Sequence, residues 1–207
     1  MKKLDLTKQY KDYYTATNEP QLIHTAEVRY LSIAGIGDPD GQPYADNLQA
    51  LYSLAYAIKF KYKALDKDFT VAKLEGLWSF DDKKYTQTSM TDAPVKIPRS
   101  EWSYRMLIRI PEFVTLEQID AARQQVFDKK QLLLVKEVEL YTMTEGKSVQ
   151  MLHIGPFDKE PETLAKILKF TTDHGLQKNG LHHEIYLSDF RKTAPEKLKT
   201  ILREPVK

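Results

Sequence analysis

Hydrophobic and polar residues alternate along this chain with two different periods, and the changes of period divide it into elements. The segment EVRYLSIAGIG from Glu27 reads as a strand that ends at the turn GDPDG, where Gly, Asp and Pro suit tight reversals. YADNLQALYSLAYAIKFKYKAL follows at helical spacing through Leu48, Leu51, Tyr52, Ala55, Tyr56 and Ile58, with Lys59, Lys61 and Lys63 towards the end where cations oppose the macrodipole. FTVAKLEGLWSFDD predicts a strand. EWSYRMLIRIPEF predicts its antiparallel partner, with Trp102, Tyr104, Met106, Ile108 and Ile110 on one face. A second helix is expected from Leu116 to Lys130, with Thr115 as its N-cap.

The second half runs through the same kinds of element. KEVELYTMTEG and KSVQMLHIGPFD predict strands, and PETLAKILKFTTDHG a helix with Pro161 in its first turn and Gly175 at its end. HHEIYLSDF and KLKTILREPV close the chain as further strands. Both halves thus read strand, turn, helix, strand, strand, which points to an internal repeat. LEGLWSF and HEIYLSDF support it, since Glu75 precedes Ser79 as Glu184 precedes Ser188. The expected fold is α+β: a tandem pseudo-two-fold repeat of β-α-β-β units forming an antiparallel sheet, with helices on one face and a central cleft. Residues 1–25, polar and Tyr-rich, are expected to be an extension lying across a domain of residues 26–207, with repeats at about 26–110 and 136–207.

Composition narrows the chemistry. Hydrophobic residues at 42% and charged residues at 29% fit a folded globular chain. Lys and Arg number 31 against 29 Asp and Glu, so the charge of +2 gives no electrostatic reason to expect nucleic acid as the direct partner. The absence of cysteine excludes thiol nucleophiles, thiolate metal sites and disulfides. With neither an apolar leader region nor an apolar run of spanning length, no membrane partner is expected and a cytoplasmic location is the default.

One carboxylate stands out, Glu184, set inside the strand-like run GLHHEIYLSD. Alternation puts it on a face with His182, Tyr186 and Ser188, and puts His183, Ile185 and Leu187 on the other, which is expected to pack on a helix. Glu184 is then either a solvated strand residue or the carboxylate at the bottom of an aromatic pocket. In the second case it would bind a cation or act as a general base on water. Its repeat partner Glu75 is either a second cleft carboxylate or a residue displaced by a bulge at Gly76. His153, His182 and Glu184 make a two-histidine, one-carboxylate set whose spacing selects no metal geometry, and no metal or other cofactor is expected. Ser188, Asp189 and His183 lack the G-x-S-x-G setting of a hydrolase triad.

The stretches YLSIAGIGDPDG, LEGLWSF, QMLHIGPFDKE and HHEIYLSDFRKTAPEKLKTILREPV resemble the GyrI-like small-molecule-binding family, in particular its stand-alone members, over nearly the whole chain. The resemblance implies a cleft for amphipathic, often cationic, aromatic compounds. In related regulators the domain is fused to a DNA reader, and no such segment precedes residue 26 here. Some stand-alone members resemble hydrolases that open the cyclopropane of DNA-alkylating compounds by adding water, a detoxification. The family's acidic residue falls on Glu184, the expected catalytic base. A tyrosine or tryptophan would hydrogen-bond the carbonyl that gains charge as the ring opens. The expected ligand-binding set is Trp78, Trp102, Tyr104, Tyr186, Glu75 and His153. Two other roles follow from the resemblance: sequestering of cationic aromatic compounds without chemistry, and modulation of a topoisomerase by contact.

Overall fold

The computed structural model describes residues 3–86, 88, 89 and 91–207. A short helix α1 (Leu6–Gln9) is followed by strands β1 (Gln21–Thr25) and β2 (Val28–Ile36) and the long helix α2 (Gln42–Ala64). Strands β3 (Leu74–Ser79) and β4 (Ser103–Arg109) follow, separated by a connection that carries α3 (Ala93–Lys96). Helix α4 (Leu116–Lys130) leads to β5 (Glu139–Met143), β6 (Gly146–Ile154), α5 (Glu160–Asp173), β7 (His182–Tyr186) and β8 (Lys199–Pro205). Among the described residues no helix is long and apolar enough to cross a membrane.

The strands form one antiparallel eight-stranded sheet in the order β1-β6-β8-β7-β3-β4-β2-β5. That order reads the same from either end once each strand is replaced by its repeat counterpart, so the pseudo-two-fold passes between β3 and β7. The repeated unit is larger than the β-α-β-β expected, because β1 and β5 each precede one and are exchanged. β1 lies on β6 of the second half and β5 on β2 of the first. The polar segment before residue 26 therefore supplies an edge strand.

The turns explain the element ends. Gly37 and Gly155 close β2 and β6 at φ 133° and 139°, a region that costs a residue without Cβ little. Pro43 and Pro161 then sit in the first turns of α2 and α5, where a missing N–H costs nothing. Thr115 caps α4 as its sequence predicts, its hydroxyl accepting from the Gln118 amide at 3.3 Å. β3 is shorter than predicted: the chain is irregular from Phe69 to Lys73, where Phe69 bridges Leu4.

Both α2 and α5 lie on one face of the sheet. Under α2 and α4 the core is built from Leu31, Ile33, Leu54, Ile58, Met106, Ile108 and Ile119, and under α5 from Val149, Met151, Leu164, Ile167 and Leu202. Each fully buried aliphatic side chain here is worth about 1.5–3 kcal/mol of transfer free energy. The opposite face carries Tyr30, Leu77, Leu107, Ile185 and Ile201, and the N-terminal segment covers it with Tyr13 and Tyr14. The face of β7 that holds His183 and Ile185 thus packs under this segment and not on a helix, as alternation alone had suggested. The helices take the Glu184 face.

Candidate functional site at the seam of the two repeats

The central strands β3 and β7 are in register with Trp78 opposite His182 and Gly76 opposite Glu184. Because side chains alternate, this pairing sorts the polar residues into two clusters on opposite faces. On the helix face, beneath the N-terminal turn of α5, lie His182, Glu184, Tyr186 and Trp78. Across β7 and β8, Glu204 completes this group.

His182 is its electrostatic centre. Fully buried, it donates from Nδ1 to Glu204 Oε1 at 2.6 Å and from Nε2 to Glu184 Oε1 at 3.2 Å. Burial opposes an imidazolium, but the two carboxylates outweigh it and the pKa rises to about 10. Glu184, 8% exposed, therefore faces a fixed cation at neutral pH. Trp78 donates its indole N–H to the Tyr186 hydroxyl at 2.9 Å, and burial followed by the Glu184 charge keeps that phenol neutral.

Gly76 makes this arrangement possible. A Cβ there would meet Trp78 Nε1 at 2.9 Å and the Tyr186 oxygen at 3.1 Å, so the two rings close over the backbone opposite Glu184. Pairing with β4 runs unbroken through Gly76, so no bulge displaces Glu75. Tyr44 from α2 stacks on Trp78 at 6.2 Å, and Trp102 and Tyr104 stand 6.1 and 5.9 Å from the same ring. Four expected aromatic residues, Trp78, Trp102, Tyr104 and Tyr186, thus belong to the Glu184 face. Tyr44 and Glu160, which also face this group, were not singled out from sequence.

Glu160 is the first residue of α5. It is 8% exposed, and its Oε1 has no hydrogen-bond partner. Burial first, and then the Glu184 charge, raise its pKa well above the carboxylate range, against a smaller opposing effect of His182.

Glu75 is not a second carboxylate of this seam. It points to the other face, fully buried, where Tyr13 donates to its Oε2 at 2.5 Å, Tyr14 to its Oε1 at 3.1 Å and His183 to its Oε2 at 3.0 Å. The reason is one residue of register. Superposing Gly37 on Gly155 and following the strand pairings makes Glu75 equivalent to His183, and Gly76 to Glu184. The expected equivalence of the two glutamates is one residue out, and one residue reverses the face.

His153 is on the helix face two strands from Tyr186. Its Nε2 donates to the Pro156 carbonyl at 3.1 Å and its Nδ1 accepts from Thr163 at 2.9 Å, so one nitrogen holds the turn after β6 and the other ties β6 to α5. Among the described residues no cluster of three or more His, Asp or Glu is placed to hold a metal.

A cavity of about 560 Å³ opens beside this group, between α5 and the β3–β4 connection. Leu164, Ile167 and Leu168 form its apolar wall, and Asp82 and Glu204 are its carboxylates. A smaller cavity of about 170 Å³ at the other end of the strands is bordered by Tyr52, Leu74, Tyr186 and Phe190. The Glu184 group lies between the two.

The fold and this seam define a pseudo-symmetric small-molecule-binding module. The chain belongs to the GyrI-like small-molecule binding domain family, whose pattern matches residues 18–207. It is similar to a conserved uncharacterized protein of Listeria innocua, with 38% identity, a TM-score of 0.88, and 99% of this chain and 100% of that one covered. A hydrolase from Listeria innocua is 37% identical with a TM-score of 0.86, each chain covered in full. The EcmrR C-terminal domain shares the fold at 12% identity and a TM-score of 0.58, over 91% of this chain and 97% of that domain. No protein of curated function matched this chain.

Proposed function

We propose that this protein is a hydrolase of electrophilic aromatic compounds of the cyclopropanoid type, with Glu184 as the base that activates water. The observation that carries the reading is a nearly buried carboxylate held at 3.2 Å by a doubly hydrogen-bonded imidazolium, among the rings of Trp78, Tyr44 and Tyr186. The 37% identity over full length to a hydrolase of Listeria innocua supports it. In the reaction, water attacks the cyclopropane methylene as Glu184 takes one of its protons. The ring carbon–carbon bond breaks, its electron pair passes into the conjugated ring, and the carbonyl oxygen becomes a phenolate that takes up a proton to give the phenol. Strain in the small ring makes this bond cleavage easy, so a positioned base and a flat, dry pocket suffice.

The role is detoxification by hydration of an alkylating agent before it reaches its target. Trp78, Trp102, Tyr104 and Tyr186 supply stacking area for a flat ligand. Glu75 and His153 act at a distance, through the packing of β3 and α5, and hold no ligand.

A second reading is sequestering of amphipathic cations without chemistry. It is favoured by the two carboxylates, Glu184 and Glu204, that flank a single imidazolium. Glu184→Gln separates the two. If the protein is a hydrolase, conversion of a spirocyclopropyl cyclohexadienone to its hydrated phenol, followed by mass spectrometry, falls by about 10²–10⁴-fold while neutral compounds still bind. If it only sequesters, neither protein yields hydrated product, and the variant loses affinity for cationic dyes.

A further inference from the structure

The proposed ring opening leaves negative charge on an oxygen that must receive a proton, and the aromatic residues of the seam are poorly placed to supply it. Trp78 spends its only N–H on Tyr186, and Trp102 donates its own to the Ile97 carbonyl at 3.3 Å. Tyr186 accepts from Trp78, and burial followed by the charge of Glu184 holds its own proton in place. Asn47 donates to the Tyr104 hydroxyl at 2.9 Å, which fixes that group against α2.

Tyr44, Tyr104 and Tyr186 keep phenol protons that burial makes harder to release; a carboxyl group is intrinsically a far stronger acid, and one without a partner stands at the same place. Glu160 is more than nine-tenths buried, its Oε1 has no partner, and it stands at the start of α5 close enough to Glu184 and His182 to feel both charges. Helix geometry does not explain a glutamate in this position. The first turn of α5 favours an anion, yet Glu162, two residues on, is far more open to solvent and gives the helix its acidic residue without any burial. In the first repeat the equivalent residue, Gln42, also precedes the helix proline. It carries an amide and bonds Asp46 on the surface. The acid is specific to the half that contains Glu184.

We infer that Glu160 is the general acid of the seam, the partner of Glu184, and that it delivers a proton to the carbonyl oxygen of the substrate as the ring opens. This rests on the reading of Glu184 as the base. The two carboxyl groups differ in their surroundings: Glu184 has the imidazolium of His182 as a contact, whereas Glu160 has a dry site and a neighbouring anion. Such a difference separates an acid from a base in a pair. The protons balance. Glu184 gains one from water, Glu160 gives one to the new phenol, and return of the proton from Glu184 to Glu160 restores both. The charged and titratable groups that face Glu160 are Glu184, His182 and Tyr186 on β7, with Glu204 on β8 behind His182.

The test uses Glu160→Gln, which keeps shape and one hydrogen-bond donor but cannot release a proton. With a spirocyclopropyl cyclohexadienone as substrate, kcat is expected to fall about 10²-fold or more, while the affinity for the neutral phenol product stays within about twofold. Unchanged kcat overturns the assignment. A second readout does not depend on turnover. Wild type at neutral pH is expected to show the infrared carbonyl band of a buried carboxylic acid, and Glu160→Gln to lose it. Absence of that band overturns the role of Glu160 even where Glu184→Gln behaves as a base variant. If wild type shows the band but converts no cyclopropanoid, the hydrolase reading has failed, and the acid role, which depends on it, falls too.

Discussion

His182 shows how one residue links the site to the stability of the molecule. Its folded pKa of about 10 stands against an ordinary 6.5, because Glu204 and Glu184 outweigh the cost of burial. A group whose pKa is raised by folding contributes stability in full below its unfolded pKa, and that contribution is lost as pH rises through the folded one. The window is therefore about 6.5 to about 10. His182→Asn should lower the free energy of urea unfolding most at or below pH 6.5, and the gap from wild type should narrow as pH rises from there towards about 10. A gap independent of pH would mean that His182 is held by shape alone. The same titration removes the cation that faces Glu184, so kcat and stability decline over one range.

At the scale of elements, the N-terminal segment is fastened by buried charge. Arg203, with no exposed surface, donates from Nη1 to Glu145 Oε2 at 3.0 Å, from Nη2 to the Tyr13 carbonyl at 2.9 Å, and to Gln150. His183 bridges Glu145 and Glu75 at 2.9 and 3.0 Å, and Tyr13 and Tyr14 close on Glu75 from above. Although burial alone would raise it, the Glu145 pKa is pulled down to about 2 by His183 and Arg203. Its contribution is present above the ordinary 4.5 and is lost as pH falls through about 2. Removing one partner of such a network leaves a buried charge uncompensated. Glu145→Gln should therefore cost about 3–5 kcal/mol in urea unfolding. It should also speed tryptic cleavage after Lys8 and Lys11, since Tyr13 loses part of its anchorage. Normal protease resistance would show that the apolar contacts of Tyr13 and Tyr14 hold the segment by themselves.

Elements and residues were legible in the sequence to different degrees. Helices α2, α4 and α5 announce themselves by period and caps, and the strands of both repeats by alternation. The repeat itself was also visible, but the short match between Glu75 and Glu184 set its register one residue out. The spacing that holds it correctly is Gly37 to Gln42-Pro43 against Gly155 to Glu160-Pro161, tied to the same backbone geometry in both halves. Alternation separates the two faces of β7 without telling which one meets the helices. Partners such as Tyr13 and Glu75, or Glu145 and Arg203, lie too far apart in the chain for any local pattern to join them. Glu160 was missed for a related reason: a glutamate beside a helix proline looks like an ordinary N-terminal acid until its burial is known.

At the scale of the whole molecule, the exchanged strands decide how it unfolds. β1, which precedes the first repeat, pairs with β6 over Gln21–Thr25, and β5, which precedes the second, pairs with β2 over Glu139–Met143. The repeats also share the β3–β7 pairing and, through it, the Trp78 to Tyr186 hydrogen bond. Neither half can leave without stripping an edge strand from the other and exposing the backbone groups that strand satisfies. The halves are therefore expected to unfold together in spite of their internal similarity. The sequence provides a direct check, because both tryptophans, Trp78 and Trp102, lie in the first repeat while far-ultraviolet circular dichroism reports helices of both. In urea the two signals should share one midpoint and one slope, as a two-state transition requires. Fluorescence that changes at a different urea concentration from the dichroism would show the repeats separating. In that case the seam that holds Glu184 would open before the fold is lost, and its closure would depend on the weaker half.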